Sequence, residues 1–173
     1  MLIGQRVARL GLLTLTTSLA LSPALAGSTI TGRASVVDGD TIDIAGQRIR
    51  LNGVDAPESW QRCDDAHGRS YRCGRNAAFA LGEFLAEARP TACEPVDRDR
   101  YGRVVAVCHR ADGAEVGAWL VESGHAVDWA RYSRGAYRQA QDAAKAVGRG
   151  IWQGAFIEPC QARADRANKP ASC

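Results

Sequence analysis

Between residues 29 and 58 the chain reverses direction more often than any helix tolerates, and this limits its fold more than any other feature. Residues 29–37, 41–44 and 48–51 are short runs rich in Val, Ile and Thr, separated by Asp38-Gly39 and by Ala45-Gly46-Gln47. Short alternating runs bounded by Asp and Gly read as antiparallel strands. The proline of "DAPE", Asp55 to Glu58, ends the third, because proline has no N–H to give to a ladder.

Two further strand-like runs, residues 91–96 and 103–109, flank the tight turn "DRYG", Asp99 to Gly102. In "RNAAFALGEFLAEA" the residues Ala78, Leu81, Phe84 and Leu85 recur at helical spacing. "EVGAWLVES", residues 115–123, and "YRQAQDAAKAV", residues 137–147, are two more helices, each ended by a glycine. Residues 59–74 read as a polar loop, "HAVDW" as a short extended piece and residues 160–173 as an irregular polar tail. A five-stranded sheet hides its edges by curling into a small barrel with helices against it. The expected fold is therefore α+β, mainly β: a five-stranded barrel with about three packed helices.

The chain of 173 residues opens with Arg6 and Arg9, an apolar run from Leu10 to Leu21, and Ala24-Leu25-Ala26. A charged start, an apolar centre and a small-x-small end describe a signal peptide over residues 1–26, too short and too rich in Thr and Ser to anchor in a bilayer. Its removal takes two arginines and no acid, so Lys plus Arg falls from 22 to 20 against 19 acids and the net charge from +3 to +1. Net charge then says nothing about a polyanionic partner; the positions of the arginines must. The expected organisation is a domain over residues 27–157 and a polar tail over residues 158–173, exported to a periplasm or the medium, monomeric and free of the membrane.

Six cysteines, Cys63, Cys73, Cys93, Cys108, Cys160 and Cys173, all follow the signal, as disulfides in an oxidising compartment would. Cys93 and Cys108 are equidistant from the "DRYG" turn, so a hairpin there brings them face to face. Cys63 and Cys73 bracket the polar loop, and Cys160 and Cys173 are left to clip the tail. No C-x-x-C or H-x-x-x-H pair supports a zinc site.

In an antiparallel meander the first turn and the exit of the third strand share one end, so Asp40, Asp55 and Glu58 converge on one rim. Hard carboxylates with a carbonyl and waters suit Ca²⁺ or another oxygen-loving cation. Taken alone, "VDGDT" is better read as a turn that favours Asp and Gly for their backbone freedom. Arg50 changes that, because it lies near the same rim, and Arg103 follows the "DRYG" turn as a second fork. Two arginines, a divalent cation and a free carboxylate are the parts of metal-assisted phosphodiester hydrolysis, the carboxylate positioning or deprotonating water.

In this order and spacing, "DGDT", Arg50, "DAPE" and "DRYGR", with "LVESGHAVDW" and "GRGIWQG" behind them, resemble the thermonuclease (staphylococcal-nuclease-like) family as far as Gly154. The resemblance implies an OB-fold barrel and calcium-dependent cleavage of DNA and/or RNA to 3′-phosphate products. It implies Asp40, Asp55 and the Ala56 carbonyl as calcium ligands, with Asp38 and Thr41 in support. Arg50, Glu58 and Arg103 match its catalytic positions, and Arg100 and Tyr101 its nucleotide contacts. The cysteine loop after Glu58 departs from the family. Ala130 stands where a base-stacking tyrosine is known, with Tyr132 or Trp129 as the substitutes at hand.

The rival reading is a catalytically weak nucleic-acid- or protein-binding module of the same fold. Such a relic should have lost one of Asp40, Arg50, Asp55, Glu58 or Arg103, and all five are present. A disulfide-stapled calcium-binding structural domain would explain the acids but not the arginines. His67, His109 and His125 lack metal or acid/base spacing. Trp119 and Trp152 read as core, Trp60 as core or platform, and Arg138 and Lys145 as a solvated face.

Overall fold

A computed structural model describes residues 28–171 and 173; the signal-peptide expectation for residues 1–26 lies outside them. The strands are β1 (Ile30–Gly32), β2 (Ala34–Asp38), β3 (Thr41–Ile44), β4 (Gln47–Leu51), β5 (Val54–Asp55), β6 (Cys63–Asp64), β7 (Ser70–Tyr71), β8 (Thr91–Arg98), β9 (Val104–His109) and β10 (Val127–Asp128). The helices are α1 (Cys73–Glu87), α2 (Val116–Glu122), α3 (Ala130–Ser133), α4 (Arg138–Ala146) and α5 (Pro159–Ala167), with a 3₁₀ turn at Gly150–Gln153. Six strands form one sheet in the order β1-β8-β9-β4-β3-β2, and β5–β10 and β6–β7 are separate two-stranded ladders.

The alternation in the sequence becomes the wall of the core. Ile42 and Ile44 on β3, Ile49 and Leu51 on β4, and Val104, Ala106 and Cys108 on β9 are buried. From the helices, Ala77, Leu81, Phe84 and Leu85 of α1 and Val116, Leu120 and Val121 of α2 close over them. Trp119 belongs to this core, stacked on Phe84 with ring centroids 4.1 Å apart. Trp152 packs edge-on against Phe156 in a second, smaller cluster.

Three expectations change. The sheet is six-stranded and is not a closed barrel, because the run at residues 29–37 breaks at Arg33 into two strands. The first half, β1, pairs with β8 at one edge and the second, β2, with β3 at the other. The chain itself thus joins the two edges of a curled sheet, where a closing ladder was expected. Gly32 makes the corner possible: a Cβ there would lie 2.7 Å from the Ile44 side chain. The second change is the tail, which is helical (α5) instead of irregular. With α3 also unforeseen, the described residues hold five α-helices where about three were expected.

Three disulfides, Cys63–Cys73, Cys93–Cys108 and Cys160–Cys173, join the six cysteines in the pairs that spacing suggested. Cys93 and Cys108 are register partners across β8 and β9. The Cys63–Cys73 bond ties the β6–β7 hairpin, which replaces the expected loop, to the start of α1. No helix among the described residues is long and apolar enough to cross a membrane.

Candidate active site

The rim predicted from the strand order exists. Thr41 pairs with Arg50 across β3 and β4, and the Asp40 carbonyl accepts a hydrogen bond from the Leu51 N–H at 2.9 Å. The Ala56 N–H donates to Asp40 Oδ2 at 2.8 Å, which fixes the "DAPE" exit against the first turn. On the far side β10 pairs with β5, setting Val127 opposite Asp55. Asp38 supports the turn, its carboxylate accepting from the Asp40 N–H at 3.1 Å. Asp43 takes no part and accepts from the Gly46 N–H in the next turn.

Arg50 leaves its strand-mate Arg48 in solvent and turns inward, only 8% exposed. Its Nη1 meets Asp40 Oδ2 at 2.5 Å and its Nη2 meets Asp55 Oδ1 at 3.2 Å. Asp55 is 1% exposed. Glu58 stands next in line at the half-buried lip. Its backbone is pinned where its N–H donates to Gln61 Oε1 at 3.2 Å and where α1 presses on it. Gly74 permits that approach, since a Cβ there would lie 1.7 Å from the Glu58 carbonyl oxygen.

Arg103 comes from the β8–β9 turn. Asp99 holds it, accepting from its Nε at 2.6 Å and from its N–H at 3.0 Å. The Arg103 Nη1 reaches Thr41 Oγ1 at 3.3 Å, which joins this turn to the acidic rim. Arg50, Asp99, Arg100, Tyr101, Arg103, Trp129 and Tyr132 line a groove of about 270 Å³ beside the carboxylates. Tyr101 is 77% exposed, with Arg100 and Arg103 guanidinia 5.9 and 5.7 Å from its ring centre. Trp129 and Tyr132 meet edge to face, their centroids 4.5 Å apart, and both line the groove. A larger hollow between α1 and β2 gathers no comparable set of acids and arginines.

The donor set fits a hard cation. Its side chains are the carboxylates of Asp40, Asp55 and Glu58, with no thiolate or imidazole among them. Burial drives the Asp40 carboxyl up to about 7 against the opposing pull of Arg50. A bound divalent cation would relieve that cost.

A pH dependence follows. Asp40 has a folded value near 7 and an ordinary value of 3.8, so its protonated form favours the fold. In chelator, stability should fall as pH rises from about 4 to 7, by at most about 1.4 kcal/mol per pH unit, and level off above. Asp65, Asp99 and Asp112, lowered from 3.8 by their hydrogen bonds, act in the opposite sense and mainly below that window. Thermal melts of wild type and Asp40→Asn across this range test it; the fall should be lost in the variant, leaving the opposite, rising contribution of His125, which burial lowers from 6.5.

The family described as "Staphylococcal nuclease homologue" matches residues 48–154, more than half of the chain. The chain belongs to the staphylococcal nuclease family. Among its relatives is the "Succinoglycan biosynthesis protein ExoI" of Rhizobium meliloti (strain 1021). That protein is 53% identical over 148 residues, which cover 86% of this chain and 78% of the relative. An "Uncharacterized endonuclease" of Escherichia coli is 30% identical over 129 residues, covering 72% of this chain and 77% of that protein. A protein of the same name from Escherichia coli O157:H7 matches to the same extent.

Within this nuclease-family framework, Asp40, Arg50, Asp55, Ala56 and Glu58 are drawn into one cluster, and Arg100, Tyr101 and Arg103 line the adjoining groove. Sequence reasoning missed two residues. In the sequence Asp99 reads only as part of a turn, although it orients Arg103. Arg163, on α5, was not considered, yet its Nη1 and Nη2 donate to the two oxygens of Asp55 at 2.8 and 2.9 Å. The same Nη1 donates to Glu58 Oε1 at 2.8 Å. Burial opposes the charge on Arg163, but its hydrogen bonds to Asp55 and Glu58 outweigh that and hold it protonated. The signal for α5 lay in Pro159 at the first turn, in the alanines, and in Asn168, which takes the left-handed conformation that closes the helix.

Proposed function

We propose that this protein is an exported, calcium-dependent nuclease that hydrolyses phosphodiester bonds of DNA and/or RNA to 3′-phosphate products. One observation carries the reading: two buried carboxylates paired to Arg50, and a third at the lip joined to them through Arg163, lie beside a groove walled by Arg103 and aromatic rings. Asp40, Asp55 and the Ala56 carbonyl would hold the cation, which when bound supplies positive charge to polarise the scissile phosphate. Glu58, at the half-buried lip, orients a water in line with the phosphorus and takes its proton as the new P–O bond forms. Arg50 and Arg103 offer N–H forks to the phosphate oxygens as charge builds on them, and as the P–O5′ bond breaks the 5′-oxygen leaves and takes a proton from solvent water. Arg100 and Tyr101 hold the neighbouring nucleotide, and Trp129 or Tyr132 offers a face to a base. Export accords with three disulfides, which persist in oxidising compartments.

The test is direct. Oxidised protein beginning at Gly27 is incubated with single- and double-stranded DNA and RNA, in calcium or in chelator, and the new ends are analysed. Cleavage in calcium with 3′-phosphate ends is expected. No cleavage in calcium, or equal cleavage in chelator, overturns the reading.

A further inference from the structure

The α5 helix lies outside the family match, which ends at residue 154, yet it delivers an arginine into the centre of the acidic cluster. We propose that α5 is a built-in cap on the cation site, and that the Arg163 guanidinium occupies the Asp55 oxygens that would otherwise hold a divalent cation, with Glu58 tied beside them. The proposal deepens the nuclease reading and rests on the cation site assigned there.

Geometry separates this role from that of a third phosphate-binding arginine. Both terminal nitrogens of Arg163 are committed to carboxylates, in a two-pronged grip on Asp55 and a third bond to Glu58. Asp55 therefore offers no oxygen that a guanidinium does not already contact, since Arg50 shares Oδ1. A divalent cation bound there would sit against a guanidinium of like charge, so binding requires Arg163 to withdraw. The arginine is half-buried, and its guanidinium carbon lies 5.5 Å from the centre of the Trp129 ring, over which it can swing outward.

The helix is held firmly enough for the arginine to compete. Gln61 Nε2 donates to the Ile157 carbonyl at 2.5 Å just before the helix begins. Pro159, Cys160, Ala162 and Ala164 are buried, and the Arg166 guanidinium stacks 4.6 Å from the centre of the Trp60 ring. A nine-residue helix is marginal by itself; the Cys160–Cys173 bond folds the chain end back along it. Apparent cation affinity is then the intrinsic affinity multiplied by the fraction of time the arginine is withdrawn.

Calorimetric titration of calcium into oxidised wild type, Arg163→Gln and Arg163→Lys tests the cap. Arg163→Gln should bind calcium at least about tenfold more tightly than wild type, with Arg163→Lys in between, because lysine keeps the charge and loses the two-pronged grip. Calcium should also shift tryptophan emission in wild type as the guanidinium leaves Trp129, and shift it less in Arg163→Gln. Circular dichroism melts establish that each variant is folded, and the lysine variant serves if the glutamine variant is not. Equal or weaker calcium affinity in a folded variant overturns the cap and leaves the cation site standing. Absence of calcium binding in wild type and variants alike overturns the cation site and the cap with it.

Discussion

Glu58→Gln should slow phosphodiester cleavage by about 10²–10⁴-fold, the usual contribution of a positioned acid/base group. The substitution keeps the size of the side chain and its capacity to accept from Arg163, whose Nη1 donates to Glu58 Oε1 at 2.8 Å. The backbone of residue 58 stays fixed by Gln61 and by the N-terminus of α1 at Gly74. What is lost is a group able to take a proton from water. The loss should therefore appear in single-turnover rates at saturating calcium, while melting temperature and substrate affinity stay near wild type. Retention of more than about a tenth of the wild-type rate would remove Glu58 from the chemistry.

The parts of this site readable in the sequence are those dictated by strand register. A turn of fixed length between β2 and β3, and a proline-stopped exit from β4, put Asp40, Arg50, Asp55 and Glu58 at one end of a meander whatever the surroundings. The disulfide between Cys93 and Cys108 was legible for the same reason, as a symmetric spacing about one turn. What was not legible depends on contacts between distant parts of the chain. Arg163 lies 108 residues from Asp55, and nothing local marks it as a partner. Its helix buries mainly small residues, so the polar composition hid an amphipathic face. The split of the first strand at Arg33 is similar: both halves read as strand, and only the curl of the completed sheet decides that they serve opposite edges.

Arg50 tests how far the cluster serves function at the expense of stability. It is the shared counter-charge of two carboxylates that are 7% and 1% exposed. Arg50→Met keeps much of the bulk and removes the charge, leaving Asp40 without its guanidinium partner and Asp55 with Arg163 alone. Breaking a buried pair in this way costs up to about 3–5 kcal/mol, most at alkaline pH, where the surviving Asp40 charge stays desolvated and is not neutralised by a proton. In chelator, Arg50→Met should thus unfold at markedly lower denaturant than wild type. Calcium should restore more stability to the variant than it adds to wild type, since a cation replaces the missing charge. Cleavage should not recover with it. A cation can neutralise Asp40 and Asp55, but it cannot supply the N–H fork to the phosphate, and loss of such a donor costs about 10²–10³ in rate. Denaturation and single-turnover cleavage, each measured with and without calcium, separate the two jobs. If calcium restored both stability and rate, Arg50 would be only a counter-ion, and Arg103 would be left as the phosphate-binding arginine.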